Sequence, residues 1–485
     1  MKTISLILLC SLSNVIFAQN LDREILKVEN QLNFPGTYSS NQKIPRRNIE
    51  ERLEQNNIHG ASVAVVLNGK LHWSKSYGFT DLSNNVTVTN QTLFQCASIG
   101  KIMTTIALLQ LVQKGALELN DAVNDKLVRW KIEENSITKN QPVTVKHLLS
   151  HSSGLTDDYG FLGYKPSSDI PTSLQILNNE KPSNGKKSLE IMTTPGEVER
   201  YSGAGFLILQ LLIEDLSGQS FSDYVQQNIF GPLEMFNTTY ADRPDQELNR
   251  VIAFGHKANG KALKNKKYHI YPEKAAAGPW TTAEDLAKLI IGIHAAKNGK
   301  PEALLNHDIT LAMLSPVINN KGLGVNLKGV NKPDAYWHAG QNLGYTALLY
   351  GTISNGNGAV ILMNNDGGER LMQEFIGSVA QAYNWPVMKS YVALETPLLL
   401  QSSLIGEYLN SERNSRFKVY SDKEKLMLKI DGVKQNYELF RIGNNLFTFK
   451  DSQDYINLSF DSLVDASSLI YHESIGNSLV LKKVR

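Results

Sequence analysis

The sequence predicts an α+β protein, an antiparallel sheet flanked by helices, followed by a separate all-β module. Three observations carry this. ASVAVVLNGKLHWSKSYGFTD alternates around an Asn68-Gly69 turn and reads as a β-hairpin. From 335 to 365 the same period returns as three short apolar runs separated by Gly and Asn, an antiparallel meander. Apolar helical stretches fill the interval, so the sheet must draw its strands from distant parts of the chain. After about residue 390 the texture changes to short alternating runs such as FKVYSDKEKLMLKIDG and SLVLKKVR, which suit a small barrel or sandwich.

In chain order, MKTISLILLCSLSNVIFAQN has the makings of a secretory signal. Lys2 precedes an apolar run from Ile4 to Leu12, and cleavage after Ala18 is expected. That run is too short to span a bilayer, and no later stretch is long enough. Cleavage leaves Cys96 as the single cysteine, so no intramolecular disulfide can form, which suits a periplasmic or secreted bacterial protein. Residues 19–45 read as a polar, poorly ordered lead-in. RRNIEERLEQNNI at 46–58 reads as an amphipathic helix before the hairpin.

The stretch FQCASIGKIMTTIALLQLVQKG at 94–115 reads as a buried helix that starts near Ser98 and stops at Gly115. Ile99, Ile102, Met103, Ile106, Leu109 and Val112 form its apolar stripe. Ser98 and Lys101 are one helical turn apart and can meet. Burial there disfavours the ammonium, so a neutral amine could take the hydroxyl proton, and the helix N-terminus offers N–H groups to an oxyanion. Ser-x-x-Lys also occurs at Ser40, Ser136, Ser183 and Ser415, all in polar stretches with no apolar helix following. Context singles out Ser98.

VTVKHLLSHSSGL reads as a short helix ending at Gly154. Its His147 and His151 are spaced as a metal pair, but no fitting carboxylate follows and packing is the better reading. Residues 157–190, rich in Pro, Asn and Lys, read as an irregular excursion or lid. Tyr201 stands just before an apolar helix over Phe206–Leu216 that Gly218 stops, and a second helix follows at Phe221–Ile229. Five lysines within 256–267 surround Asn259-Gly260 as a solvated hairpin tip. AAAGPWTTAEDLAKLIIGIHAA is a turn and a helix capped by Thr281 or Thr282.

With 485 residues, 42% apolar and 20% charged, the chain is a soluble globular protein of about two domains. Its net charge of +2 gives no reason to expect nucleic acid. No cofactor or metal is implied, and the oligomeric state is not legible.

Ser98-Ile99-Gly100-Lys101 opening an apolar helix, Tyr201-Ser202-Gly203 before another, and His338-Ala339-Gly340 on a strand occur in an order that resembles the serine β-lactamase and penicillin-binding-protein superfamily, closest to its class C β-lactamase, esterase and D-aminopeptidase branch. The likeness runs over about residues 46–365 and includes the LNGK hairpin, VTVKHLLSHSSGL, IFGPLEMFNTT and TTAEDLAKL. It implies a β-lactamase-like sheet with an all-helical subdomain within 46–390. It also implies a lipocalin-like C-terminal β-barrel over 395–485. Ser98 would be the nucleophile, Lys101 and Tyr201 would carry its proton, and backbone N–H groups of Ser98 and Gln341 would form the oxyanion hole. Gly340 would keep the strand bare for substrate.

Two departures from the family pattern stand out. Gly203 replaces an asparagine, which removes an amide from the substrate site. His338 replaces a lysine, so a permanent cation becomes an imidazole that titrates near pH 6.5 and holds a carboxylate only when protonated. The expected protein is therefore an exported serine hydrolase acting on small ester or amide substrates, peptide-like and with D-amino acids among them. A true class C-type β-lactamase and a non-catalytic envelope protein are the alternatives.

Overall fold

The structure is a computed structural model. It describes residues 19–484 except 82, 84, 157–160, 181–188, 264–266, 330–331, 386–387, 389, 412–414, 450–456, 465 and 473–477. The signal sequence, and parts of the excursion at 157–190 and of the lysine-rich tip, lie outside the described residues. Two compact units are present. One is Leu53–Met372; the other joins the chain up to Arg52 with Gln373–Glu473 and Ser478–Arg485.

The first unit is built on a seven-stranded sheet. Its strands are β1 (Gly60–Leu67), β2 (Lys70–Asp81), β3 (Val86–Thr87), β4 (Asn326–Lys328), β5 (Ala335–Asn342), β6 (Tyr345–Thr352) and β7 (Gly358–Met363), in the order β3-β2-β1-β7-β6-β5-β4. Asn68 and Gly69, with φ of 51° and 69°, make the left-handed turn that the Asn-Gly pair signals. The meander pairs antiparallel throughout, and β7 lies against β1 with Gly358 opposite Val66. β6 and β7 are buried along their whole length, as strands covered on both faces must be.

The helices labelled here are α1 (Ile49–Gln55), α2 (Gly100–Gln113), α3 (Gly203–Ser217), α4 (Ala283–Lys297) and α5 (Glu369–Ala382). α4 packs on β1 and β7 of the sheet and is capped by Thr282, whose side chain accepts from Asp285 N. α2 is buried as expected, and on all sides: every residue from Gly100 to Leu111 is buried, so it is the axis of the core. A 3-10 turn, Ala97–Ile99, leads into it. α2, α3 and the short helix Lys274–Ala277 pack together beside the sheet. The helix in VTVKHLLSHSSGL is shorter than expected, Val145–Leu149, and the excursion contains a helix at Ser173–Leu177, capped by Thr172.

In the second unit, residues 19–29, expected as a poorly ordered lead-in, are helical, and Val28 and Leu32 are buried. Thr37–Tyr38 pairs in parallel with Tyr391–Val392. Glu374 of α5 is fully buried and receives Arg52 Nε at 2.7 Å and Arg47 Nη1 at 3.0 Å. A buried carboxylate is tolerable because two guanidinium groups face it. From Gly406 to Lys483 eight strands close into a barrel, Gly406–Asn410 pairing with both Ser415–Asp422 and Ser478–Lys483. Tyr408, Phe417, Leu428, Phe447, Leu458 and Leu481 fill it. Closure leaves no strand edge exposed for foreign pairing.

Candidate active site

Ser98 lies in the 3-10 turn at the head of α2. Its neighbour Ala97 holds φ at 47°, a left-handed conformation unusual for alanine, which turns the chain sharply from Phe94–Gln95 into the helix. Ser98 is half-buried while Cys96, Ala97 and Ile99 are buried, so only the nucleophile candidate reaches solvent. Lys101, one turn on, is 2% exposed. Its Nζ donates to Ser98 Oγ at 3.1 Å and to the carbonyl of Ala276 at 2.6 Å. The two contacts fix the amine against the hydroxyl. Sequence reasoning missed Ala276, because a backbone acceptor leaves no trace in a residue's identity.

Tyr201 comes from the residue pair just before α3. Ser202 caps that helix by accepting from Gly205 N at 3.0 Å, and Gly203 is its first residue and buried. The Tyr201 ring is 5.2 Å from Lys101 Nζ, measured to its centroid. The ring also stacks on His151 at 4.3 Å and 29°. His338, on β5, lies 6.3 Å from the Tyr201 ring. Ser98, Lys101, Tyr201 and His338 therefore converge in one place.

Gly340 has a packing task that the sequence alone does not show. A Cβ there would lie 2.1 Å from the carbonyl oxygen of Cys96, so the missing side chain lets β5 close onto the turn that carries Ser98. β4 pairs with β5 only from Ala335 to Trp337. Among the described residues, His338–Asn342 have no strand partner on that side. Gln341 is exposed, and its side chain donates to Asp366 O at 3.0 Å.

His338 corrects the expectation of a titrating anchor. It is buried, and loss of hydration, followed by the nearby charge of Lys101, pushes its pKa from 6.5 down to about 3. Its Nδ1 faces Ala339 O at 2.6 Å and must carry the ring's proton, which leaves Nε2 an acceptor. An imidazole in this state offers a substrate a lone pair and no cation. A permanent charge nearby is Lys321, held by Glu199 at 3.2 Å. The folded pKa lies below the unfolded one, so the unfolded chain binds a proton that the folded chain refuses. This contribution to stability is complete above pH 6.5 and is lost as the pH falls towards 3. The thermal midpoint should therefore drop between pH 7 and pH 4.5, and less so in His338→Gln. Hydrolysis of carboxylate-bearing substrates should gain nothing from acid.

His147 and His151 do not form a pair. His147 sits in a capping box with Thr144, while His151 lies beyond the helix with φ at 56°. Burial, then the charge of Lys101, keeps the His151 pKa well below the ordinary range.

Set beside known proteins, the Beta-lactamase family model matches residues 45–382. Protein flp of Staphylococcus aureus (strain MW2) is 29% identical over 238 residues, 49% of this chain and 46% of that protein. The teichoic acid D-alanine hydrolase of Staphylococcus aureus (strain MRSA252) is 27% identical over 265 residues, 54% of this chain and 61% of the relative. The chain thus spans about half the length of the curated relatives it matches. The solved octameric penicillin-binding protein homologue from Pyrococcus abyssi superposes with a TM-score of 0.58 at 20% identity, covering 89% of this chain and 98% of that one, a likeness of fold. With the match extending from before α1 to the end of α5 and through every residue that converges on Ser98, the chain belongs to the Beta-lactamase family.

Proposed function

We propose that the protein is an exported serine hydrolase that cleaves small esters or amides through an acyl-enzyme at Ser98. The observation that carries this is the buried Lys101 amine held 3.1 Å from the Ser98 hydroxyl. Ser98 Oγ attacks the substrate carbonyl carbon while its proton passes to Lys101 and Tyr201. The resulting oxyanion is received by the backbone N–H groups of Ser98 and Gln341. Collapse of the tetrahedral intermediate breaks the ester or amide bond, and the leaving alcohol or amine takes the proton. Water, deprotonated by the same pair, then attacks the acyl carbon and frees Ser98.

Within this class, esters and amides with a free amino end rank above β-lactams. Gly203 offers no side-chain amide and His338 no cation for the carboxylate that β-lactams carry. The relative named as a D-alanine hydrolase supports an alanyl ester or amide as the substrate type. The hydrolase domain is assigned to 46–390 and the barrel to 395–485.

A fluorophosphonate probe should label wild type once, at Ser98, by intact mass and peptide mapping, and should leave Ser98→Ala unlabelled. Equal labelling of the variant would move the chemistry elsewhere. A p-nitrophenyl ester or D-alanyl amide should be turned over with higher kcat/KM than a chromogenic cephalosporin at neutral pH.

A further inference from the structure

Both backbone amides that flank Tyr201 end on one residue. Arg200 N–H donates to the carbonyl of His151 at 2.7 Å, and Ser202 N–H donates to His151 Nδ1 at 3.1 Å. The His151 ring then covers the face of Tyr201 at 4.3 Å, backed by Phe206 at 5.3 Å. We infer that His151 is a positioning residue for the proton-transfer step: it clamps Tyr201 from both sides and from above, so that the phenol is held in reach of Lys101 and Ser98. This rests on the serine hydrolase reading of the site.

The chemistry of the clamp is specific. Nδ1 accepts a backbone N–H, so the ring's single proton is on Nε2. A second proton would sit on Nδ1 itself and eject the Ser202 amide. The groups that face the ring bear on this: Lys101 and Lys321 both oppose a charge there, as does His338. The backbone contributes too. His151 sits at a left-handed φ of 56°, which aims its carbonyl at Arg200 and its ring at Ser202. Gly196 N–H donates to Ser152 O at 2.7 Å and Ser152 N–H to His147 O at 2.8 Å, so the strained turn is pinned on both sides. A conformation this costly persists only where its surroundings over-determine it.

His151→Asn and His151→Ala separate positioning from mere support. Asparagine tolerates the left-handed conformation and offers an acceptor to Ser202, but it cannot cover the Tyr201 ring. Active sites are counted by labelling Ser98 to completion, and steady-state rates on a p-nitrophenyl ester are divided by that count. In His151→Ala, kcat per labelled site and the second-order labelling rate should fall by roughly 10- to 100-fold, with KM changed less than about threefold, as expected for a displaced reacting group. His151→Asn should recover part of the loss. If the alanine variant does not fold, the same measurements on the asparagine variant decide, with a fall of at least about fivefold per site expected from lost ring cover. Rates per labelled site equal to wild type, with only the thermal midpoint or the number of sites reduced, would make His151 structural and overturn the inference. A wild type that no acylating probe labels at Ser98 would instead bring down the hydrolase reading, and this inference with it.

Discussion

Lys101→Met should reduce kcat/KM for an activated ester by roughly 10²–10⁴-fold, the range that a positioned general base supplies. Methionine fills much the same volume, and the slot is closed on all sides, Lys101 being 2% exposed. The substitution removes the amine from Ser98 Oγ and also orphans the carbonyl of Ala276, its other partner. Leaving one buried carbonyl unmet costs about 1–3 kcal/mol, while the thioether brings no polar group that must be desolvated in the slot. The fold should therefore survive, and the thermal midpoint should move little in either direction. Ser98 should be labelled slowly by a fluorophosphonate. A loss below about tenfold in a folded variant would mean that some other group takes the hydroxyl proton.

Gly340→Ala should harm both stability and rate, for a reason unrelated to substrate contact. The added carbon meets Cys96 O at 2.1 Å and Ala97 Cβ at 3.3 Å. The first of these is backbone and cannot rotate away. β5 is tied to β6, with Gly340 opposite Ala347, and Ala97 is already in a left-handed conformation with no slack. Either the strand or the Ser98 turn must give by more than about an ångström. Overpacking of this kind costs roughly 1–3 kcal/mol. A shift of that size between a nucleophile and its partners costs on the order of 10²-fold in kcat. Calorimetry with esterase rates normalised to labelled Ser98 would show the two losses together. A variant with wild-type rate per site would mean that β5 and the turn are not rigidly linked.

The parts of the molecule that local pattern encodes were legible in the sequence. The Asn68-Gly69 hairpin, the three-run meander, the helix after Ser98 and the alternation after 390 each rest on neighbours within a dozen residues. Ser98, Lys101 and Tyr201 were found because they sit at helix starts, which leave a mark. The rest depends on distance. His338 reads as an ordinary imidazole until the fold buries it beside Lys101. His151 reads as half of a helical pair until the chain turns left-handed and presents it to Ser202. Gly340 reads as an open strand edge, and its close approach to the Cys96 carbonyl shows only in the fold. The helix at 19–29 escaped notice because it is polar along most of its length and buries little beyond Val28.

The order of the sheet has a consequence in time. β7 is the one strand that joins the first hairpin to the rest: β1 pairs with β2 and β7, and β7 with β6. A ribosome makes Ser98 and its helix early, yet the strand bearing His338 and Gly340 and the strand that ties it to the hairpin come some hundreds of residues later. The hairpin can form alone, but it has nothing to join until residues 358–363 arrive. Long-range closure of this kind is slow, because the loop must be brought together before any contact rewards it. Through most of synthesis, then, Ser98 sits in a half-built setting, without the strand that bears His338 and Gly340. The sheet is complete only when Gly358–Met363 takes its place between β1 and β6.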